Sequence, residues 1–398
     1  MNICILAYTI YETDSRVRRY AETLAARDHR VDVISLRNRG DGGRSMRVGG
    51  VNVFRVQSRG YREGGPAGYL ARHLLFLARG GARILLRHLR RRYAVIHVNN
   101  IPDFLVFAAL IPRALGCRVI LDIHDLVPEL FCEKFGRSMD SLPARLLLLA
   151  EKVCTRFADR VIVANDLWRR TVITRDRLAP GACITLLNYP DLSYYRPAGR
   201  PVSGAGGEVT LVYPGTFSHL HGVDVAVRAM ALVRQELPRA RLMLYGRFGS
   251  RAYYEYIRAL MEELELDGAV AVRDPVPPER LMDIYARADI GLVPKRRGIF
   301  SDRAFSTKIF DYLAVGIPVI ASRTTVDEYY FDDTQIMFFN AGDHRDLARK
   351  IVDLCANPEK GRLLARNARR FLLDNNWEAR QKDYLDLVQG LSDRTKNR

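Results

Sequence analysis

The chain predicts an α/β protein made of two Rossmann-like domains in tandem, and two observations carry that expectation. Uninterrupted Val/Ile/Leu runs such as "NICILAY", "RVILDIH" and "VTLVYPG" alternate with helical patterns. Strands apolar on both faces belong to a parallel sheet covered by helices on either side. The alternation breaks at "PDLSYYRPAGRPVSGAGGE", residues 190–208, whose three Pro, four Gly and two Ser read as a linker, and it restarts beyond. At 398 residues the chain has the length for two domains. The expected domains are 1–195 and 196–374, with a closing helical segment at 375–398.

In order, "NICILAY" reads as a strand, Ser15 to Arg27 as a helix, and "RVDVISL" and "VNVFRV" as strands. After an arginine-rich segment come "YAVIHVN", a helix from about Asp103 to Leu115, "RVILDIH", a helix from about Leu142 to Phe157, and "DRVIVAN". The second half runs "VTLVYPG", a helix from Val223 to Glu236, "ARLMLYG", a helix from about Ala252 to Leu264, "AVAVRDP", a helix from about Pro278 to Arg287, and "DIGLVP". A short helix, the strand "PVIAS" and two closing helical patterns follow. Two such domains are expected to face each other across a cleft at the carboxyl ends of their sheets, where α/β folds bind ligands.

Apolar residues at 48% and charged residues at 27% are those of a soluble globular protein. "MNICILAYTI" reads as a buried strand, so no secretory leader is expected, and no apolar run reaches the ~18 residues of a membrane span. The cysteines, at 4, 117, 132, 154, 183 and 355, have no paired spacing. That excludes a sequence-local zinc cage and suits reduced thiols in the cytosol.

Charge divides the halves. Residues 1–197 hold 32 Lys and Arg against 18 Asp and Glu, a net of +14, whereas 198–398 hold 30 against 27, a net of +3. Residues 44–93 contain 12 arginines and one acid, Glu63. There Arg72, Arg79, Arg83, Arg87 and Arg90 recur at spacings of 7, 4, 4 and 3, with Leu70, Leu74, Leu77, Ile84 and Leu85 at other helical positions. A basic helical face predicts contact with an anionic membrane surface, against the plainer alternative of a solvated face over a core-facing helix. Nucleic acid is not expected, since no nucleic-acid motif accompanies the charge.

Candidate binding groups sit at strand ends of the second half. Gly215, followed by Thr216, ends one strand and Gly222 opens the next helix, a turn that admits an anion to backbone N–H groups. Gly246 and Arg247 end another strand, and Pro294 and Lys295 a third. Arg296, Arg297, Arg303 and Lys308 then surround the start of the helix in "RAFSTKIFDYLAVGIPVIAS". Ser306 or Thr307 is expected to cap that helix, and Gly316 to supply the left-handed residue at its end. Asp311 lies about one turn in. A phosphate at the helix start would leave a ribose within reach of this carboxylate, which accepts hydrogen bonds from adjacent hydroxyls; an ion pair to Lys308 or an Arg is the alternative.

"FDYLAVGIPVIAS", with an acid before an A-x-G-x-P-V-I segment, resembles the retaining nucleotide-sugar glycosyltransferases of family 4, whose fold is GT-B. Asp311 falls on the second of the family's two Glu positions, and Arg303 on the first, a departure that removes the obvious nucleophile of a double displacement. "VYPGTFSHLHGVDVAVRAM" is similar to the family's Gly-rich turn, with Ser218 and His221 near its usual Arg and Lys. "PPERLMDIYARADIGLVP" resembles the helix and strand carrying an acid, here Glu279. "DIHDLVPEL" resembles the HD-x-x-PE string, with His124 and Asp125, and "DSRVRRYAETLAARDHRV" the D-x-R-V opening, with Asp14 and Arg16. Asp28 stands where a helix-ending Gly is common, and "NNWEARQKDYLDLV" looks like a C-terminal helix crossing back to the first domain.

The resemblance implies a hexosyltransferase that moves sugar from a nucleoside-diphosphate sugar to a glycan or lipid-linked acceptor in cell-surface polysaccharide or glycolipid synthesis. The donor would be held by Gly215, Thr216, His221, Arg247, Glu279, Lys295, Arg303, Ser306, Thr307, Lys308 and Asp311. The acceptor side would use Asp14, Arg16, His124 and Asp125, with His124 and Asp311 closest to the chemistry. No cofactor or metal beyond the substrate is expected, and the place implied is the cytoplasmic face of the cell membrane. A nucleotide-sugar epimerase of the same fold and an inactive binding subunit are the competing functions.

Overall fold

The structure is a computed structural model that describes residues 1–38, 43–60, 65–195 and 207–396, the side chains of 65–66, 278–279 and 394–396 excepted. It divides into two compact units, Met1–Asn188 with Arg380–Arg398, and Tyr189–Ala379. The expected boundaries were 195 and 375.

The first unit is built on eight strands, β1 (Asn2–Ile10), β2 (Arg30–Arg37), β3 (Ser45–Val48), β4 (Val51–Ser58), β5 (Val95–Asn99), β6 (Arg118–Ile123), β7 (Arg160–Val163) and β8 (Cys183–Thr185). Their order is β3-β4-β2-β1-β5-β6-β7-β8, parallel except for the β3–β4 hairpin. The direction of winding reverses between β1 and β5, the switch point of a doubly wound sheet. Ile3, Ile5, Val31, Val33, Val95 and Val119 are fully buried, as the continuous apolar runs require. The sheet also buries charge. Arg16 holds Asp122 through Nε and Nη2, each at 2.8 Å, and donates to the Leu186 carbonyl at 3.0 Å. Burial alone would raise the Asp122 carboxyl, but Arg16 and His97 outweigh it and hold it well below the usual range. His97 Nδ1 lies 2.9 Å from the Tyr384 hydroxyl, so the closing helix, Trp377–Lys396, is tied to the first unit's sheet.

Two sequence expectations change here. The helix expected over 103–115 is a 3-10 segment, Asp103–Ala109, followed by one α-turn, Leu110–Ala114. Pro112 has no N–H to give and is tolerated only in a first turn, so the α geometry starts just before it. The arginine-rich helix, Gly65–Arg90, is also oriented differently from its charge pattern. Phe76, Gly80 and Ile84 face inward; a Cβ on Gly80 would stand 3.0 Å from the Leu6 side chain on β1. Leu70 and Leu74, two of the apolar positions between the arginines, are exposed. Arg87 turns back to Asp32 at 2.7 Å, and the Arg83 and Arg87 guanidiniums stack on the Phe54 ring. Arg72 is half-buried, and Arg79 and Arg90 face solvent.

The second unit has six parallel strands, β9 (Thr210–Phe217), β10 (Arg241–Phe248), β11 (Val270–Arg273), β12 (Ile290–Val293), β13 (Val319–Ser322) and β14 (Met337–Phe339). Their order, β11-β10-β9-β12-β13-β14, is that of a Rossmann sheet, with its switch point between β9 and β12. One side chain seats the helix Thr307–Val315 on that point. Tyr312 is fully buried, and its hydroxyl lies within hydrogen-bond reach of the Val212 carbonyl on β9 (3.1 Å) and the Leu292 carbonyl on β12 (3.3 Å). Its ring lies over Gly291, where a Cβ would stand 2.4 Å from the ring carbons.

Gly291→Ala must displace a ring that has nowhere to go. It is expected to lower the stability of the second unit by about 1–3 kcal/mol, read from the urea midpoint of that unit's transition, whereas the first unit's transition stays in place.

Candidate active site

At the carboxyl end of β9, Gly215 adopts φ +133 and leaves room for Lys308; a Cβ there would stand 2.8 Å from Lys308 Cε. The chain then makes a 3-10 turn, His219–His221, and reaches Gly222 at φ +64. A side chain on Gly222 would run into the Pro294 carbonyl, at 1.8 Å, so glycine lets this loop lie on the end of β12. The Arg296 amide donates to the Leu220 carbonyl at 3.0 Å and closes the arrangement. The turn after β9, the end of β12 and the start of the Thr307 helix therefore meet at the switch point.

The cations gathered there are mostly neutralised within the protein. Lys295, expected to meet the donor, is buried, holds Asp327 at 2.9 Å and donates to the Ala304 carbonyl at 2.7 Å. A buried ammonium needs such partners, and the sequence separation of Asp327 hid this one. Arg296 pairs with Asp224, and Arg297 with Asp302 at 2.7 Å. Arg303 is exposed in a turn before the helix, its amide donating to the Phe300 carbonyl. Lys308 differs: it has no ion pair among the described residues, and its ammonium lies 5.0 Å from the centre of the Tyr213 ring. Burial, and less strongly Lys295, push its pKa down to about 8 against the pull of Asp311. Burial, Lys308 and Lys295 push His221 down to about 4, so it is a neutral imidazole at pH 7, with Nδ1 2.7 Å from Ser218 Oγ.

Ser306 occupies the N-cap of the nine-residue helix but makes no side-chain cap bond, and neither does Thr307 cap it. The first-turn amides therefore lack the side-chain acceptor that the sequence led one to expect. Gly316 ends the helix in the left-handed region at φ +88, as expected. Asp311 is half-buried and accepts a 2.6 Å hydrogen bond from the Tyr195 hydroxyl. The buried Tyr285 hydroxyl is pushed well up, by burial first and by Asp311 second. Neither tyrosine was singled out from the sequence, because Tyr195 lies in the linker stretch and is 116 residues away. Arg247 pairs in register with Thr216 at the ends of β10 and β9; both are exposed, and Arg247 has no ion pair among the described residues. Glu279 lies on the helix Pro278–Arg287, and its side chain is outside the described residues.

In the first unit His124 and Asp125 follow β6. Asn100, at the end of β5, organises them: its Oδ1 accepts from the His124 amide at 3.0 Å, and its Nδ2 donates to the Asp125 carbonyl and to Asp103 Oδ1, each at 2.8 Å. Burial pushes the Asp103 carboxyl up to about 6 against the opposing effect of Asn100. His124 Nδ1 is buried without a hydrogen-bond partner among the described residues. Burial raises Asp125, against the opposing charges of His124 and Arg16. Asp14 caps the helix Ser15–Ala25, accepting from the amides of Arg16 (3.1 Å) and Val17 (3.0 Å). Arg16, expected on the acceptor side, has its guanidinium engaged by Asp122 and Leu186. Asn100 was the residue missed, although "VNN" at a strand's carboxyl end marks the place.

Two family models match in succession, the glycosyl transferase 4-like domain over residues 13–188 and glycosyl transferases group 1 over 208–357. The chain belongs to the family 4 glycosyltransferases, and its two Rossmann-like units are those of the GT-B fold. It is similar to the D-inositol 3-phosphate glycosyltransferase of Saccharomonospora viridis, 27% identical over 268 residues, covering 63% of this chain and 60% of that one. To the enzyme of the same name from Nocardia farcinica it is 31% identical over 191 residues, covering 44% and 40%. The matched region thus spans 60% and 40% of these relatives' lengths, less than two thirds of either. Among solved structures it resembles sucrose-phosphate synthase from Thermosynechococcus elongatus, with TM-score 0.76, 22% identity and 98% and 99% of the two chains covered. It also resembles Anabaena Alr3699/HepE in complex with UDP, with TM-score 0.67, 17% identity and 98% and 100% covered.

Lys308 gives the site a distinctive pH dependence. Its ammonium is charged below about pH 8 and loses its proton above, so affinity for a nucleoside diphosphate is expected to fall as pH rises through that value. Lys308→Met should weaken binding roughly ten- to hundred-fold, the contribution of a hydrogen bond to a charged group, and remove that pH dependence. Titration calorimetry across pH 6.5 to about 9.5 checks both.

Proposed function

We propose that the protein transfers a sugar, with retention at the anomeric carbon, from a nucleoside-diphosphate sugar to an acceptor hydroxyl on a glycan or lipid-linked molecule. The observation that carries this is Lys308: a half-buried ammonium with no ion pair among the described residues, set between the Gly215 turn and a helix N-terminus at a Rossmann switch point. A diphosphate supplies the missing negative charge, and the helix dipole adds to the attraction. Asp311, one turn along the helix, then lies where ribose hydroxyls would follow the phosphates. That Anabaena Alr3699/HepE was solved with UDP agrees with this choice of ligand.

In such a transfer the bond between the anomeric carbon and the phosphate oxygen breaks as negative charge develops on the leaving diphosphate. In this reading Lys308, the first-turn amides and Arg247 would stabilise that charge, which is usually the largest contribution a protein makes to such a step. Arg303 stands where a carboxylate nucleophile would be needed for a double displacement. A front-face substitution needs none: the departing phosphate accepts the acceptor's proton. With cationic side chains neutralising the diphosphate, we expect turnover to persist in EDTA. His124 and Asp125, held by Asn100, are our candidates for contacts to the sugar or acceptor.

The test is calorimetry with UDP, GDP and ADP on the wild type, Asp311→Ala and Tyr195→Phe, followed by transfer from the sugar conjugate of whichever diphosphate binds. Binding of one diphosphate, weakened in Asp311→Ala and kept or strengthened in Tyr195→Phe, is expected. If no diphosphate binds, and both substitutions lower only thermal stability, Asp311 is there to hold Tyr195 and the donor assignment fails.

A further inference from the structure

Beside the His124–Asp125 turn, the first unit buries four acids around one arginine. Arg175, on the helix Asp166–Asp176, donates from Nη1 to Glu129 and from Nη2 to Glu151, each at 2.5 Å. Glu129 lies in the first turn of the helix Val127–Phe135, which starts just after the His124–Asp125 turn, and Glu151 lies on the helix Leu142–Phe157. Asp176 is fully buried and accepts from Thr155 Oγ1 at 2.8 Å. Asp103, bonded to Asn100, is the fourth acid. One oxygen on each of Glu129, Glu151 and Asp176 is buried with no hydrogen-bond partner among the described residues.

One guanidinium cannot balance four buried carboxylates, so like charges keep at least one of them protonated. Glu151 is that acid. Burial pushes it up to about 8 against the pull of Arg175, and Asp103, Asp176 and Glu129 add to the push. The thiol of Cys154, on the same helix, faces the same acids and is itself raised, by burial first. Lys152 and Arg156 act on Asp176. The other charged side chains of the three helices, Glu133, Lys134, Arg145, Asp166, Arg169 and Arg170, are half-buried or exposed. On β6, which also packs against the Leu142 helix, Arg118 is held by Asp159 and Asp122 by Arg16.

While Glu151 keeps its proton, the Arg175 charge goes to Glu129. Once Glu151 ionises, two carboxylates compete for one guanidinium. The Glu151 side chain is 0% exposed and has no route to water, whereas that of Glu129 is 10% exposed. Glu129 is therefore the one to leave. The helix it sits on has no side-chain cap at its start, so Arg175 at Glu129 and Asn100 at His124 and Asp125 are what hold the turn in place.

We propose that Glu129, Arg175 and Glu151 form a pH-sensitive latch: loss of the Glu151 proton releases Glu129 and loosens the His124–Asp125 turn. Its meaning for catalysis rests on the transfer reading above, in which that turn meets the sugar or acceptor; the latch would then disable the acceptor side in alkaline conditions. The sign also sets the stability of the unit. Between the ordinary 4.5 and about 8 the folded chain holds a proton that the unfolded chain releases, so stability falls as pH rises across that window.

The experiment is hydrogen–deuterium exchange of the full chain, corrected for the intrinsic rate at each pH. It needs no sugar substrate, so its failure is distinguishable from failure of the transfer assay. In the wild type, protection of peptides spanning 122–135 is expected to fall roughly ten-fold per pH unit above about 8, the limit for one linked proton. Peptides from β1 and β2 should keep theirs. Glu151→Gln, which cannot ionise, should hold its protection at every pH, and Glu129→Gln should lack it at every pH. An unchanged urea transition of the first unit at neutral pH confirms that the variants fold. Wild-type protection that is flat in pH, or a Glu151→Gln variant that titrates as the wild type does, overturns the proposal. Loss of protection spread evenly over the whole unit overturns it in favour of global destabilisation.

Discussion

The second unit depends on a side chain that is missing. Gly291 lies on β12 beneath the Tyr312 ring, and any Cβ there would stand only 2.4 Å from the ring carbons. Because it is glycine, the Thr307 helix comes down onto the sheet far enough for the Tyr312 hydroxyl to reach carbonyls on β9 and β12 together. Those two strands flank the switch point. The tyrosine therefore holds the helix N-terminus, and with it Lys308, over the place where the strand order reverses. Gly222 acts in the same way from the other side, letting the turn after β9 lie on the Pro294 carbonyl. Two absent side chains bring three elements together.

What that arrangement achieves is electrostatic selection. Five cations crowd the end of β12 and the approach to the helix, and an ordinary folded surface would solvate them all. Here Asp327, Asp224 and Asp302 each take one: Lys295 is buried, Arg296 is partly so, and Arg297 is exposed. Lys308 has no ion pair among the described residues, although Asp311 pulls on its charge. The protein tolerates this at the expense of a lowered pKa, the signature of an ammonium with too little compensation. Perturbed groups of this kind mark functional places more often than structural ones. Arg16 in the first unit is the contrast: more deeply buried, but paired with Asp122 through Nε and Nη2, and so part of the scaffold.

The parallel strands and both glycine turns were legible in the sequence because they are local: apolar runs define buried strands, and glycine at a strand end defines a turn. The helix with its Gly316 terminator was legible for the same reason. What could not be read were partners distant in the chain. Nothing near Lys295 announces Asp327, and nothing near Asp311 announces Tyr195. The arginine-rich helix misled in a specific way. Its arginine spacing is compatible with a basic face, but long side chains bend, and two of them fold back over Phe54. Position on a helical wheel fixes where a Cβ points, not where a guanidinium ends.

Asp311 shows how one residue can answer both a structural and a chemical demand. A carboxylate among Ile309, Phe310, Leu313 and Ala314 would be costly without hydrogen-bond donors. Tyr195 provides one at 2.6 Å, and in doing so ties the stretch leading into the second unit to the helix that faces the switch point. A phenol and a ribose hydroxyl ask the same thing of a carboxylate, a short hydrogen bond to oxygen. A side chain that accepts from the one is thereby suited to the other. Under the proposed donor assignment, a ribose hydroxyl would take the place that the Tyr195 hydroxyl holds here. The acid thus persists in an apolar helix with a hydroxyl donor from 116 residues away set against its carboxylate.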